Sequence, residues 1–296
     1  SRHGRWLSLG CGTAETEVAL ARRKVFGEML AIDASPQARL VAESRASDAG
    51  VTSIRFAGGD FEAAEIEDGS FDVVMMEMSL HHVRDIRRVL ETARARLAPR
   101  GVLLLNEFVG PRQFQFPEHQ LEIVHQLLDV LPERLRQDSY THGLKTEYVK
   151  QSVEHWNVVD PTEAIRSDQI LPELGQLFET LVRLDYGGTI LNLLLENIIH
   201  NFGDDEADRS TLRLLSRVEQ ILIDRQVLSS DFVVLAARPL SSFSESTRND
   251  QGSLGAPEPD EGNHDTSTST ETVRPPLSAA GAPPPRETTS TGNPGD

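Results

Sequence analysis

Over the first 108 positions, short apolar runs alternate with stretches in which apolar residues recur at helical spacing. Arg5-Trp6-Leu7-Ser8-Leu9 ends in Gly10-Cys11-Gly12-Thr13-Ala14, and residues 15–24 follow with Val18, Leu20 and Ala21 on one side. The pattern predicts a strand, a glycine turn and a helix. A second strand is expected over 29–32, closing on Asp33. Ser35-Pro36 reads as an N-cap with proline at the first position of a helix that runs to about residue 48. Residues 53–56, 71–76 and 102–106 read as the third, fourth and fifth strands, and a His81-His82 loop and a helix over about 86–97 separate the last two.

After Asn106 the rhythm changes. A helix is expected over about 117–137, with Leu121, Val124, Leu128 and Leu131 on one stripe and Leu127 beside it. Residues 138–177 are mixed and read as helical. A sixth strand follows at 179–184, then apolar and amphipathic helices at 189–201 and 211–225, and a closing strand at about 230–237. There is no internal repeat. The strand runs suit burial on both faces, so the expected fold is α/β: a doubly wound, mostly parallel seven-stranded sheet that binds ligands at the carboxyl ends of its strands. The helical insertions at about 110–177 and 189–228 are the expected lid and substrate region.

Composition changes sharply near residue 240. Residues 241–296 hold 8 of the chain's 16 prolines and only Phe243, Leu254, Val273 and Leu277 as sizeable apolar side chains. Such a stretch cannot bury enough surface to offset roughly 1–2 kcal/mol per residue of backbone ordering entropy, so it is expected to be a disordered tail behind a domain of residues 1–240. The formal net charge is −17, and the tail, with nine acidic and three basic residues, accounts for only part of it. That balance disfavours nucleic acid as a partner, because replacing phosphate counterions needs Lys and Arg. The single cysteine, Cys11, excludes an internal disulfide framework and a Cys-rich zinc site. No run of 18 apolar residues and no secretory pattern occurs, which points to a cytoplasmic protein with no membrane span. The chain opens without Met and almost directly in a strand pattern, so an upstream segment is expected.

A glycine turn between a strand and a helix brings backbone N–H groups and the positive end of a helix dipole to a ligand. A dinucleotide site needs G-x-G-x-x-G, but the sixth position here is Glu15, an anion expected to face the pyrophosphate. A cofactor without phosphate tolerates it. In residues 7–14 the sequence resembles the first motif of the class I S-adenosylmethionine-dependent methyltransferases. Asp33 resembles their ribose-binding acid and Gly59-Asp60-Phe61 their adenine-contacting segment. Phe71-Asp72-Val73-Val74 with Ser79-Leu80-His81-His82 resembles their fourth-strand signature, and residues 97–102 the approach to strand five. The resemblance covers roughly residues 5–108, in order and spacing. It implies a Rossmann-like methyltransferase fold and S-adenosyl-L-methionine held by Gly10, Cys11, Gly12, Asp33, Ala34, Asp60, Phe61, Glu77 and Met78. Two positions depart from the pattern: Ser8 stands where an acid is usual, and Ala14 where a third glycine is usual, which is tolerated if its φ is negative.

Methyl transfer from a sulfonium needs in-line placement, water exclusion and, for a hydroxyl acceptor, a base. His81 and His82 follow strand four at the ligand edge. Glu107 follows strand five, where a desolvated carboxylate becomes more basic. These three are the catalytic candidates, and packing or helix capping is the alternative for each. Cys11 fits the turn by its size and is not read as a nucleophile. His81, His82 and Asp85 lack a further ligand, so no metal is expected. Arg112 and Tyr186 are candidates for binding an acceptor's carboxylate, phosphate or hydroxyls, and the segments around them resemble methyltransferases of polysaccharide or small-molecule biosynthesis. After strand four, Glu77-Met78-Ser79-Leu80 replaces the Asn/Asp-Pro-Pro-aromatic pattern of amino-methylating DNA enzymes. The expected activity is methylation, at oxygen, of a small molecule or saccharide. A non-catalytic cofactor-binding or interaction module is the alternative, and a nicotinamide-dependent oxidoreductase the third reading.

Overall fold

A computed structural model describes residues 4–59, 66 and 68–240. Asp60, Phe61 and the segment 241–296 lie outside the described residues, and with them the expectations for the adenine contact and the tail.

The first half alternates as the spacing predicts. Strand β1 (Arg5–Leu9) leads through the glycine turn into α1 (Glu15–Arg22), and β2 (Glu28–Asp33) leads into α2 (Pro36–Asp48). Ser35 caps α2, its hydroxyl accepting from Ala38 N at 3.2 Å, with Pro36 at the first helical position. Next come β3 (Ile54–Gly58), β4 (Phe71–Glu77), α3 (Ile86–Arg96) and β5 (Leu97–Phe108). The remaining elements are α4 (Glu118–Val130), α5 (Val153–Val159), α6 (Ile170–Leu177), β6 (Phe178–Gly187), α7 (Leu191–Leu195), α8 (Glu206–Asp224) and β7 (Phe232–Pro239).

The seven strands make one sheet in the order β3-β2-β1-β4-β5-β7-β6. The first five are parallel, and β7 runs antiparallel to both β5 and β6. Strand order reverses between β1 and β4, and the crevice outside their carboxyl ends is where such a sheet takes a ligand. Period-2 alternation sends Leu7 and Leu9 into a core with α3 and α6, built on Val89, Leu90, Ile170 and Leu174. It turns Ser8 to the opposite face, where Val18 and Ala21 of α1 and Ala46 of α2 pack on Met29, Ala31 and Met75.

The insertions build a core of their own. Leu121, Val124, Leu128 and Leu131 are buried against Ile190, Leu193, Leu194 and Leu215, as the stripe on α4 predicts. Helix α4 stops at Val130 rather than near 137, because Pro132 cannot continue it; only a 3₁₀ turn, Glu133–Leu135, follows. The helix expected over 189–201 is broken into α7 and a 3₁₀ turn at Ile199–Asn201, with Asn197 at φ +59° between them. Side chains from elsewhere take over its backbone groups: Glu219 accepts from Ile190 N and Leu191 N, and Lys145 Nζ donates to Leu193 O and Glu196 O. Between α4 and α5, residues 138–152 form turns rather than the helix expected there. Helix α8 begins five residues earlier than expected, at an Asp205 cap that accepts from Asp208 N. Among the described residues, no helix is long and apolar enough to cross a membrane.

Candidate functional site

The turn after β1 is shaped by three residues with positive φ: Gly10 (+72°), Gly12 (+51°) and Ala14 (+55°). Gly10 N and Cys11 N donate to Ile32 O at 2.9 and 3.1 Å, which ties the turn to the end of β2. A Cβ on Gly10 would lie 2.6 Å from Ser79 Cβ, so this glycine is required by space as well as by φ. A Cβ on Gly12 would meet nothing within 4 Å; that side of the turn opens onto the crevice. Ala14 does not meet the condition of a negative φ under which an alanine here is unstrained. It caps α1 in the left-handed region with its methyl buried, at a backbone cost of about 1–2 kcal/mol.

Asp33 closes the turn from below. Its Oδ2 accepts from Gly12 N at 2.7 Å and its Oδ1 from Ser35 N at 2.8 Å, and the side chain stays partly exposed. A carboxylate has about four acceptor positions, so these two bonds do not saturate it. Ala34 is exposed beside it. The acid missing at Ser8 comes from α1: Ser8 Oγ donates to Glu17 Oε1 at 2.6 Å, and Glu17 is 1 % exposed. Burial pushes the Glu17 carboxyl up against the opposing Ser8 hydrogen bond, and the charges of Glu77 and Asp33 push the same way. Cys11 is pushed up to about 12 by burial and then by Glu17 and Asp33, so it stays a thiol, as its place in the turn implies. Glu15 is exposed and lies 3.6 Å from Arg45, and the carboxylates grouped about the turn are Glu17, Asp33 and Glu77. Their sign suits a cationic, phosphate-free ligand.

At the end of β4, Glu77 Oε1 accepts from Asn106 Nδ2 at 2.9 Å and from Thr16 Oγ1 at 3.4 Å, and burial pushes the carboxyl up. Tyr186 OH donates to Asn106 Oδ1 at 2.8 Å, so Asn106 joins two residues that the sequence singled out separately. Its signal was available: a polar residue at the carboxyl end of an apolar strand. Met78 has φ +48°, donates its N–H to Asn106 O and is exposed at the rim.

His81 and His82 sit in a 3₁₀ turn, Leu80–His82. Beside it Glu107 is fully buried and fully engaged: Oε1 accepts from Ser79 N (2.6 Å) and Leu80 N (2.5 Å), and Oε2 accepts from Phe108 N (3.0 Å) and faces His81 Nδ1 (2.7 Å). Burial alone would lower the His81 pKa. The Glu107 hydrogen bond and charge, then Glu163 and Asp160, outweigh burial and raise it. Glu163, from the segment after α5, lies 3.7 Å from His81 Nε2 through one oxygen and 3.7 Å from His82 Nε2 through the other. Sequence spacing carried no signal for Glu163, which is 82 positions from His81 and 81 from His82. Asp85 is not in this group; it caps α3, accepting from Arg88 N.

Arg112 lies 3.7 Å from Asp168, both half-exposed, which is the ion-pair alternative for this residue; the Tyr186 network is made without it. Phe114, Phe116, Tyr148 and Trp156 line a cavity of about 390 Å³ in the helical insertions. Phe114 rests on Phe108 (ring centroids 5.1 Å apart), and Phe108 meets His81 edge-on at 6.5 Å.

Residues 7–105 match a family model described as a methyltransferase domain. A demethylmenaquinone methyltransferase of Tropheryma whipplei is 29% identical over 189 residues, 64% of this chain and 73% of the relative. A malonyl-[acyl-carrier protein] O-methyltransferase of Prosthecochloris aestuarii is 31% identical over 108 residues, 36% and 40% of the two chains. A geranyl diphosphate methyltransferase solved in complex with SAM aligns with 81% of this chain and 79% of its own, at 12% identity and a TM-score of 0.47. The match begins within β1 and ends within β5, and so takes in the glycine turn, Asp33 and the histidine turn. The matched region, residues 7–105, is a methyltransferase domain, and S-adenosylmethionine is its cofactor.

Proposed function

We propose that this methyltransferase acts on a hydroxyl oxygen of a small-molecule or saccharide acceptor. The observation that carries the reading is the histidine turn at the carboxyl end of β4, where His81 is braced through Nδ1 by a buried Glu107 while its Nε2 lies 3.7 Å from Glu163, beside a partly exposed His82. The bound cofactor supplies a methyl group on a sulfonium, a leaving group that needs no activation by the protein. Gly10, Cys11 and Gly12 then line the cofactor's path along the turn. Asp33 offers two acceptor positions to ribose hydroxyls, and Glu77 and Met78 stand at the rim between cofactor and acceptor. Asp60 and Phe61 keep the adenine role that the motif implies. Glu107 has no lone pair left for an acceptor, so its part is to position His81, while the His81–His82 side receives the acceptor's proton. Tyr186 and Asn106 offer hydrogen bonds to acceptor hydroxyls, and the aromatic cavity suits an acceptor with an apolar or ring-shaped body.

The unit responsible is taken to be residues 1–240, with 110–177 and 189–228 as its lid. The negative charge of the chain favours a small acceptor over a nucleic acid. A second reading takes a quinone-like ring as acceptor; the relative named for demethylmenaquinone and the four aromatic rings of the cavity favour it.

Calorimetry with S-adenosylhomocysteine tests the cofactor assignment. Charge-assisted hydrogen bonds are worth about 1.5–3 kcal/mol each, so Asp33→Ala is expected to weaken binding roughly tenfold to more than a hundredfold. Unchanged affinity would remove Asp33 from the site. The acceptor is sought by mass spectrometry, as a product one methylene heavier after incubation with metabolite and glycan fractions.

A further inference from the structure

We propose that His81, His82 and Glu163 bind a divalent first-row transition-metal ion at the acceptor side of the crevice. Two imidazole nitrogens and one carboxylate oxygen from these three residues converge, all within 4.8 Å of one another. Two of the separations are 3.7 Å, from His81 Nε2 and from His82 Nε2 to the two oxygens of Glu163. These are too long for hydrogen bonds and leave room between the atoms. Metal–ligand distances of about 2.0–2.2 Å in a tetrahedral site put ligand atoms roughly 3.3 Å apart. The contraction needed falls on His82 and Glu163, which are partly exposed, while His81 is held rigidly by Glu107.

The hydrogen bonds behind the rings fix which nitrogens face inward. His81 Nδ1 lies 2.7 Å from Glu107 Oε2, an acceptor-only group, so Nδ1 carries the proton and Nε2 presents a lone pair. Thr162 Oγ1 donates to Asp160 Oδ1 at 2.7 Å, which leaves it an acceptor for His82 Nδ1 at 3.5 Å; His82 Nε2 then presents a lone pair as well. With both rings neutral, two lone pairs and a carboxylate converge with no donor among them. Among the described residues, no lysine or arginine ion pair reaches Glu107, Asp160 or Glu163. A cation resolves that arrangement. Each inward nitrogen backed by an outer hydrogen bond is also how imidazole ligands are oriented on metals. Two imidazoles and one carboxylate suit zinc, cobalt, nickel, manganese or iron, and three protein ligands leave a position open. On the reading above, from which this consequence follows, the open position takes the acceptor's oxygen and makes its proton easier to lose; with both Nε2 atoms on the metal, that proton passes to water rather than to the histidines.

The test uses the full chain, dialysed against a chelator and titrated with Co²⁺, with visible absorption as the readout and Zn²⁺ calorimetry alongside. The expected result is one ion per chain, with a spectrum of nitrogen and oxygen ligation. Affinity should fall at least tenfold in both Glu163→Gln and His82→Ala, and stay unchanged in Asp85→Asn. S-adenosylhomocysteine affinity shows that each variant is folded and tests the cofactor site separately. No Co²⁺ binding by the wild type, or equal affinity in wild type and Glu163→Gln, overturns the metal site and leaves the cofactor assignment standing. Metal bound as expected by a chain that does not bind S-adenosylhomocysteine would support the metal site and overturn the cofactor site.

Discussion

Beneath the glycine turn, the Ser8 hydroxyl donates to a Glu17 carboxyl that is shut away from water. Leaving a buried acceptor without its donor costs about 1–3 kcal/mol. Ser8→Ala is therefore expected to lower the unfolding free energy by that amount, seen as a lower urea midpoint with an unchanged slope. An unchanged midpoint would mean that the pair adds no net stability. The same logic explains why Glu107 works through its neighbour: four contacts saturate its oxygens, and the only reactive group it serves is His81. Neither partnership shows in the residue types alone. Ser8 is legible as a departure from a motif, but the carboxyl that answers it lies nine positions on, on the helix face that packs back over β1.

At the scale of elements, α7 is held from outside. Lys145 Nζ donates to Leu193 O at 2.6 Å and to Glu196 O at 2.8 Å, and Glu219 accepts from two N–H groups at the helix start. Lys145→Met keeps the apolar stem and removes the donors. It is expected to cost about 1–3 kcal/mol for each carbonyl left bare and to speed amide exchange over residues 190–201 more than in the sheet. Equal exchange in both regions would show that the lysine does not hold this segment. α2 was legible from its Ser35-Pro36 cap and β1 to β5 from short apolar runs between turns, because capping chemistry and burial on both faces of a sheet leave local marks. The 189–201 segment was not. It is apolar all round, so periodicity could not tell one long helix from a short one ended by side chains from α8 and the 138–152 turns.

At the scale of the whole molecule, Asp231 joins the inserted helices to the sheet at the start of β7. Gln120 of α4 donates to its carboxylate at 3.1 Å and to Thr189 O at 2.7 Å, and Val109 N donates to its carbonyl. Burial pushes Asp231 up to about 6, against its hydrogen bonds to Gln120 and Thr189, and the charge of Glu219 adds to the rise. A raised acid binds its proton more tightly folded than unfolded. Its contribution is thus fully present below the ordinary aspartate value of 3.8 and is lost as pH rises through about 6. The loss is roughly 3 kcal/mol. Asp231→Asn is expected to flatten the pH dependence of stability across that window, measured by urea unfolding at points on either side. A variant that keeps the wild-type slope would locate the titration elsewhere.

From the order of its residues alone, the chain determined its alternating strands and helices, the glycine turn, the acid at the end of β2 and hence the cofactor. Each of these is written in neighbours a few positions apart, where backbone geometry and burial impose a period. Tertiary structure alone decided the partners: Glu17 for Ser8, Asn106 between Glu77 and Tyr186, Glu163 opposite the two histidines, and Lys145 and Glu219 around α7. Most of these contacts join residues tens of positions apart, brought together by sheet order and by the packing of the inserted helices. Hydrogen bonding and charge pairing at that range leave no periodic trace along the chain.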